Sequence, residues 1–492
     1  MQTGKAMTDL LVINPASADV VYQGLARDHA ALEPPLWCRL IAGYVRDRKW
    51  SVDILDAEAL GMTRGQAAGY VHEHRPRLVC VVAHGHQPSA STQSMTGAGA
   101  ACRDIKRDNA EQPIIIVGGH VAALTERTMA EESVDFACNG EGPVTVERLL
   151  AGDNLADIPG LAWRSGGQFI QNAAAPLIDL GELHGDVWDL LPMRKYRAHN
   201  WQCLDGSPRQ PYASIYTSLS CPFACNFCMI DAPFRASKAR QYRTRAPESV
   251  VAEVNILYRR YGVRTFKIAD EMFVLSPKHY VPICEGLAAL PFAHELNIWA
   301  YARVDTVKAG HLPLLRRAGV RWLALGIESG SKHVRDGADK HFDDDDIEDV
   351  VRAIQSAGIS VIGNFMFGLP DDTKETMRAT LDMALGLRCE FANFYSAMAY
   401  PGSKLHEQAD PSVLPKAWSG YSQHSEDCTP LPTATMSGAE VLAFRDAAFT
   451  EYFRNTDYLG MIERKFGDTA RHEVERMAAR PLRRNLLEIV AA

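Results

Sequence analysis

Short apolar runs separated by longer amphipathic stretches dominate the first 150 residues of the chain. Four runs have the length and composition of buried strands, at residues 10–14, 51–55, 78–83 and 113–118. The stretches between them are long enough for crossover helices, so this alternation predicts an α/β domain with a doubly wound, Rossmann-like parallel sheet. The ligand of such a sheet binds at the carboxyl ends of its strands.

A second alternation of strand and helix patterns begins at Ala213 and continues to about residue 405. Its six predicted strands cover residues 213–218, 263–268, 296–302, 322–327, 359–367 and 391–398. Six strand–helix units predict a partial (β/α)6 TIM barrel, in which functional residues lie at the carboxyl ends of the strands.

Two segments lack a strand–helix alternation. Residues 151–212 show little periodicity, so we interpret them as a linker. Residues 406–492 show helical spacing and predict a mainly helical C-terminal cap. The expected domains are therefore 1–150, the linker 151–212, the barrel 213–405 and the cap 406–492.

Composition narrows the class of protein. The chain has 492 residues, of which 47% are hydrophobic and 23% charged, as in ordinary globular proteins with two or three domains. A net charge of −8 without a cluster of Lys and Arg argues against a nucleic-acid partner. The apolar runs are too short to span a membrane, and residues 1–9 lack an apolar signal core. We therefore expect a cytoplasmic protein with no membrane partner.

Three of the eleven cysteines have a spacing that indicates a metal centre. Cys221, Cys225 and Cys228 form a CxxxCxxC motif directly after the first predicted barrel strand. Three thiolates at this spacing can hold three irons of a [4Fe-4S] cluster and leave the fourth iron open. The alternative is a structural zinc site, which normally needs a fourth nearby Cys or His, and none follows here. The remaining cysteines have no pairing pattern, which fits a reducing compartment.

The motif and the barrel pattern resemble the radical S-adenosylmethionine (SAM) superfamily. In that family the cluster binds SAM at its open iron and cleaves it reductively to a 5′-deoxyadenosyl radical, which abstracts hydrogen from a small-molecule substrate. The resemblance implies an external electron donor, such as a flavodoxin or ferredoxin-like protein. It also implies that Phe227 lies beside the adenine, although an aromatic at this position could simply anchor the loop.

The same resemblance assigns roles to residues after the predicted strands. Asp270 and Glu271 would receive the ammonium group of SAM, since a carboxylate is the natural partner of a cation. Arg303 would neutralise the SAM carboxylate or the charge of the cluster, and Glu328 would bind the ribose hydroxyls. Each of these residues could instead be an ordinary capping or ion-pairing residue.

The N-terminal domain resembles the cobalamin-binding domain that precedes the barrel in one large radical SAM subfamily. Pro34-Pro35, Gly118-Gly119 and residues 140–142 occur in the order that this subfamily uses. The DxHxxG motif that supplies a cobalt-ligating histidine elsewhere is absent, and we expect His84 and His86 to be hydrogen-bonding loop residues. Two alternatives therefore remain: cobalamin bound without a histidine ligand, or a domain that binds none.

Two reactions are compatible with this architecture. The resemblance favours a lyase that dehydrates a 1,2-diol in an aminosugar or aminoglycoside-like substrate during antibiotic biosynthesis, with a separate reductase completing the deoxygenation. This dehydratase would need an acid and a base, for which Tyr216, Asp270 and Tyr301 are the candidates. The alternative is a cobalamin-dependent radical SAM C-methyltransferase acting on a natural-product precursor. A sensing or scaffold protein without catalysis is disfavoured by the SAM-binding residues.

Overall fold

The computed structural model describes residues 8–85, 88–234 and 242–491. Residues 1–7, which contributed to the expectation that no signal segment is present, and His86 lie outside the described residues. Within the described ranges, no helix combines the length and the apolar character needed to cross a membrane.

The N-terminal sheet explains where a ligand of this domain would bind. In the described chain it has seven strands: β1 (Leu10–Asn14), β2 (Val52–Asp56), β3 (Leu78–Val82), β4 (Ile114–Val117), β5 (Phe136–Cys138), β6 (Leu161–Ser165) and β7 (Gln168–Gln171). Their order is β2-β1-β3-β4-β5-β6-β7, and β1 to β5 are parallel. The chain leaves β1 for β2 on one side while β3 lies on the other. The carboxyl ends of β1 and β3 therefore form the topological switch point, the usual ligand position.

Helices cover both faces of this sheet, which explains why its parallel strands read as continuous apolar runs. They are α1 (Ala18–Val21), α2 (Leu25–Asp28), α3 (Leu36–Asp47), α4 (Arg64–His74), α5 (Pro88–Asp108), α6 (Gly119–Ala123), α7 (Thr125–Glu131) and α8 (Pro143–Ala151). Local sequence sets their ends. The Thr63 hydroxyl accepts a hydrogen bond from the Gln66 backbone in a capping box at the start of α4, and α8 ends at Gly152 in the left-handed region.

The predicted linker contains more structure than its sequence pattern indicates. Strands β6 and β7 lie within residues 151–212 and add an antiparallel pair to the N-terminal sheet. An antiparallel strand with a solvated face needs fewer apolar residues than a buried parallel strand, so its signal is weaker. Residues 172–211 have an irregular path with two short 3-10 turns.

The barrel contains the six parallel strands that the sequence predicts, and the predicted α/β fold class is confirmed. The described strands of this half are β8 (Tyr212–Ile215), β9 (Ser218–Leu219), β10 (Arg243–Thr244), β11 (Thr265–Ile268), β12 (Asn297–Arg303), β13 (Val320–Glu328), β14 (Ser360–Phe367) and β15 (Phe391–Ser396). The sheet order is β8-β11-β12-β13-β14-β15, and β9 pairs with β10 in a separate antiparallel ladder. All carboxyl ends of the six parallel strands therefore lie at one end of the partial barrel.

Helices follow these strands and then form the cap. The barrel helices are α9 (Pro247–Tyr261), α10 (Pro277–Ala288), α11 (Leu312–Arg317), α12 (Lys332–Gly337), α13 (Asp344–Ser356) and α14 (Lys374–Leu387). The chain ends in α15 (Lys404–Gln408), α16 (Gly438–Phe453), α17 (Thr456–Phe466), α18 (Asp468–Ala478) and α19 (Asn485–Ala491). Helix α16 packs against α14 and β15, so the cap is continuous with the barrel core.

A buried network of charges joins the N-terminal domain to the barrel. Arg39 on α3 is completely buried, and its guanidinium lies 3.3 Å from the Glu253 carboxylate on α9 and donates to the Ser214 carbonyl at 3.1 Å. Glu253 also accepts hydrogen bonds from Arg245 at 2.7 Å and from the Trp188 indole at 3.1 Å. Buried charges are tolerated when they are paired and hydrogen-bonded in this way. The network therefore fixes the N-terminal domain, the linker and the barrel relative to one another.

We predict that Glu253→Ala destabilises the protein by about 3–5 kcal/mol, because Arg39 and Arg245 would remain buried without their carboxylate. Urea unfolding followed by circular dichroism measures the effect. Asp382→Ala is the matched control, because it breaks the exposed Arg378–Asp382 pair and should cost less than about 1 kcal/mol. Equal losses in the two variants would contradict the structural role of the network.

Candidate active site

The cysteine motif lies on a loop that we call the cluster loop, residues 220–231. Ser220 opens it in the left-handed region, with φ of +72°, and the Ser220 hydroxyl donates to the Asp231 carboxylate at 3.0 Å. Asn226 in its middle donates to the Gly337 carbonyl at 2.9 Å and accepts from the Leu405 backbone at 3.0 Å. The loop is therefore held from both ends and from two other parts of the barrel.

The three thiols border a cavity of about 210 Å³, here called the cluster cavity. Burial raises the pKa of Cys221 to about 12 and raises that of Cys228 as well, so these thiols stay neutral until a metal displaces their protons. Across the described ranges, no three His, Cys, Asp or Glu side chains converge closely enough to hold a single ion. Three thiols around a shared space, including Cys225, fit a multinuclear cluster.

Glu271 presents an unpaired carboxylate oxygen at the same cavity. It borders the cluster cavity, and its Oε2 atom is buried with no hydrogen-bond partner among the described residues. Burial, together with the negative charges of Asp270 and Asp231, raises the pKa of Glu271 to about 8. A cation would relieve this cost, because an opposite charge stabilises the ionised carboxylate. The donor set therefore fits the ammonium group of SAM.

Asp270 occupies a different position from the one its sequence context predicts. It does not border the cluster cavity. Its carboxylate accepts hydrogen bonds from the Thr217 backbone at 2.5 Å, the Ser218 hydroxyl at 2.7 Å and the Thr217 hydroxyl, which also contacts the His279 ring at 2.9 Å. The structure thus uses Asp270 to hold the chain that leads from β8 into the cluster loop, and leaves the cavity to Glu271.

Arg303 brings a positive charge to the thiols. Its guanidinium donates to both oxygens of Asp305, at 2.9 and 3.1 Å, and its NH1 atom lies 3.8 Å from the Cys225 sulfur. It also stacks 3.8 Å above the Phe223 ring. Burial disfavours the charge, but Asp305 and the nearby thiols raise the pKa of Arg303 overall. The arrangement can offset the negative charge of thiolates or of a bound carboxylate.

Glu328 also borders the cluster cavity, where it forms an ion pair with Lys340. Glu328 has a left-handed backbone, with φ of +66°. Gly326 makes room for the pair, because a Cβ atom there would lie 2.5 Å from the Lys340 nitrogen. Sequence reasoning missed Lys340, which lies between α12 and α13 and not at a strand end. The cavity therefore offers a cation, Lys340, beside the carboxylate predicted for the ribose.

The aromatic candidates separate into two groups. Phe227 and Tyr301 border the cluster cavity, as expected for residues close to SAM. Tyr216 does not: its hydroxyl donates to the Leu183 carbonyl and its ring lies 4.8 Å from the Arg245 guanidinium. Strand β8 already ends at Ile215, so the Tyr216 side chain points toward the linker and α9. The structure therefore does not bring Tyr216 together with the other candidate site residues.

A second cavity of about 600 Å³, the interdomain cavity, lies between the two domains. On one side it is bordered by residues after β1 and β3 at the switch point: Asn14, Ser17, His84 and Gly85. On the other side are residues of the barrel. Four side chains border both cavities: Tyr301, Asn364, Tyr395 and Gln423. We call these four residues the shared wall. A molecule bound against it would be accessible from both cavities.

Polar side chains at the switch point, among them Asn14, Ser17 and His84, border the interdomain cavity, as a polar ligand such as cobalamin requires. The His84 ring stacks on Trp37 at 4.6 Å, and its Nδ1 atom lies 2.9 Å from the Gly85 carbonyl, a loop hydrogen bond. The Gly118-Gly119 turn serves close packing: Cβ atoms there would lie 2.1 Å from the Ala83 carbonyl oxygen and 3.0 Å from Met229 on the cluster loop. Gly118 therefore packs against the end of β3 within its own domain, and Gly119 lies against the cluster loop.

Comparisons with known families agree with this organisation. The family model described as "B12 binding domain" matches residues 23–150, and the model described as "Radical SAM superfamily" matches residues 215–384. A radical SAM domain uses a [4Fe-4S] cluster and SAM, and a B12-binding domain uses cobalamin.

Individual relatives share most of the chain. An uncharacterized methyltransferase of Pyrococcus horikoshii is 29% identical over 431 residues, which cover 85% of this chain and 87% of that protein. An anaerobic magnesium-protoporphyrin IX monomethyl ester cyclase of Cereibacter sphaeroides is 25% identical over 403 residues, 79% of this chain and 62% of the relative.

Among solved structures, the radical SAM methyltransferase TsrM of Kitasatospora setae, with cobalamin and a [4Fe-4S] cluster bound, has the same fold. The TM-score is 0.68 at 18% sequence identity, with 96% of this chain and 99% of that chain covered. The chain therefore joins a B12-binding domain to a radical SAM domain, the organisation of the cobalamin-dependent radical SAM enzymes.

Proposed function

We propose that the protein is a cobalamin-dependent radical SAM methyltransferase. The observation that carries this proposal is the shared wall, which leaves the cluster cavity and the interdomain cavity only one layer of side chains apart. The similarity to the uncharacterized methyltransferase of Pyrococcus horikoshii and to the methyltransferase TsrM supports it. The dehydration favoured by the sequence has no such support, and Tyr216, one of its proton-transfer candidates, lies away from both cavities.

The chain's own residues account for cofactor placement. When bound, the cluster and SAM supply a radical that abstracts hydrogen, and cobalamin supplies the methyl group. Cys221, Cys225 and Cys228 would hold the cluster. Glu271 would bind the ammonium of SAM, and Arg303 or Lys340 its carboxylate, because these groups border the same cavity with opposite charges. An external electron donor completes the proposed system.

The shared wall would position the substrate between the two cofactors. Its amides are fixed: Asn364 donates to the Leu325 carbonyl at 3.1 Å, and Gln423 exchanges two hydrogen bonds with the Ser396 backbone, at 2.8 and 3.0 Å. Fixed polar groups hold a substrate in one orientation, which a reaction with two successive partners requires.

We predict that Glu271→Gln weakens SAM binding at least tenfold while the cluster remains, because a neutral amide loses a charged hydrogen bond of about 1.5–3 kcal/mol. The neighbouring variant Asp270→Asn is the control, and it should lower the iron content instead, because it disrupts the bonds to Thr217 and Ser218. Equilibrium dialysis with labelled SAM and iron analysis separate the two effects. If both variants kept the cluster and lost SAM binding equally, the assignment would be wrong.

We predict that the reconstituted protein retains one cobalamin after desalting and forms S-adenosylhomocysteine from SAM only when the corrinoid is present. Methyl transfer requires both cofactors, whereas dehydration requires no corrinoid. Cys225→Ala should keep the corrinoid and lose 5′-deoxyadenosine formation, because it removes only a cluster ligand. Chromatography of the SAM-derived products measures both. Protein that binds no corrinoid and still cleaves SAM would contradict the methyltransferase proposal.

A further inference from the structure

A buried ion pair borders the interdomain cavity but not the cluster cavity. Glu33 belongs to the N-terminal domain, just before α3, and Lys267 lies on barrel strand β11. The Lys267 nitrogen lies 3.0 and 3.2 Å from the two Glu33 oxygens, and both residues border the cavity. The Tyr212 hydroxyl donates to Glu33 at 3.2 Å. The pair therefore places one positive and one negative group side by side in the barrel interior.

Lys267 retains hydrogen-bonding capacity. An ammonium group has three N–H donors, and the described residues offer the Lys267 nitrogen no acceptor other than the Glu33 carboxylate. The nitrogen also lies 4.8 Å from the centre of the Trp299 ring. Only 4% of Lys267 is exposed, and the residue borders the interdomain cavity. A buried ion pair with an unused donor is costly unless a ligand completes it.

The walls around the pair are aromatic. Trp201 and Trp299 meet edge to face with ring centres 5.4 Å apart, and Tyr301 follows at 5.0 Å from Trp299. Tyr395 stands on the opposite strand, β15, and it also borders the cavity. The described residues provide no hydrogen-bond partner for the Tyr301 and Tyr395 hydroxyls. The subsite therefore combines flat apolar surfaces with a charged end and two phenol groups.

We propose that this subsite binds the substrate as a zwitterionic aromatic amino acid, with its carboxylate on Lys267, its ammonium on Glu33 and its ring between the aromatic walls. This inference deepens the proposed methyl transfer and rests on it for the identity of the ligand as substrate. When the contact between Lys267 and Glu33 opens, the ligand carboxylate pairs with Lys267 and the ligand ammonium pairs with Glu33. Every charge therefore remains paired. A ligand with only a carboxylate would be repelled by Glu33, and a ligand with only an amine would be repelled by Lys267.

Three ligands with one skeleton test the charge requirement: L-tryptophan as the zwitterion, tryptamine as the cation and indole-3-propionate as the anion. We expect the reconstituted full chain, without reductant, to bind L-tryptophan at least tenfold more tightly than either other ligand in calorimetry at neutral pH. Lys267→Met and Glu33→Gln should each reduce L-tryptophan binding at least tenfold. Arg264→Met is the matched control, because Arg264 forms an exposed ion pair with Glu295, and it should bind as the wild type does.

Any of these binding results would overturn the proposal: equal binding of the three ligands, no binding of L-tryptophan, L-tyrosine or L-phenylalanine, or unchanged L-tryptophan binding by Lys267→Met. A purely structural ion pair would lower the melting temperature of the variants and leave the preference for the zwitterion intact, which would also overturn it. One equivalent of S-adenosylhomocysteine per corrinoid needs no amino acid, because the reduced corrinoid would itself accept the methyl group of SAM. Its persistence without amino-acid binding would therefore reject the subsite and leave the methyltransferase proposal standing.

Discussion

The site depends on the buried pairing of Glu253 with Arg39 and Arg245. Charges removed from water are strongly unfavourable unless oppositely charged groups and hydrogen bonds replace the solvent. Here the replacement comes from three parts of the chain: α3 of the N-terminal domain, the linker through Trp188 and the barrel. Arg39 of the N-terminal domain takes its carboxylate from the barrel, and the Trp188 indole of the linker donates to that same carboxylate. The relative position of the three parts, and with it the width of the interdomain cavity, is therefore determined by the pairing.

The same fixed arrangement gives two neighbouring carboxylates, Asp270 and Glu271, different roles. Asp270 and Glu271 are adjacent in sequence, yet one is saturated with hydrogen bonds from Thr217 and Ser218 and the other has an oxygen without a partner. Saturation makes Asp270 a positioning residue for the cluster loop. The unsatisfied oxygen makes Glu271 the group that gains most from a cationic ligand. Whether a carboxylate holds the cluster loop or binds a ligand therefore depends more on the hydrogen bonds that it already accepts than on its residue type.

The sequence is a good guide where one physical signal dominates. Continuous apolar runs identified the parallel strands of both sheets except β5, because strands that are buried on both faces consist largely of apolar residues. Strand β5 has only three residues, too few to form such a run. The CxxxCxxC spacing located the cluster loop, and strand ends located Glu271, Arg303 and Glu328. Strands β6 and β7 were not predicted from the sequence, because a partly solvated antiparallel pair lacks that apolar signal.

Other features depend on tertiary packing, which a single sequence does not display. The direction of the Tyr216 side chain follows from the early end of β8 and from a hydrogen bond to Leu183, 33 residues away. Lys340 lies beside Gly326 at the cluster cavity, where a Cβ atom on residue 326 would lie 2.5 Å from the Lys340 nitrogen. The Glu33–Lys267 pair joins residues 234 positions apart. Neither spacing nor composition marks such contacts.

In the proposed arrangement, one chain holds the cluster and cobalamin on either side of a single wall of side chains. Pulsed electron paramagnetic resonance on protein loaded with the reduced cluster and with cob(II)alamin tests it directly, because the dipolar coupling of two electron spins decreases steeply with distance. We expect a resolved coupling between the two centres in the same molecule. Spectra that equal the sum of the separately loaded samples would contradict it.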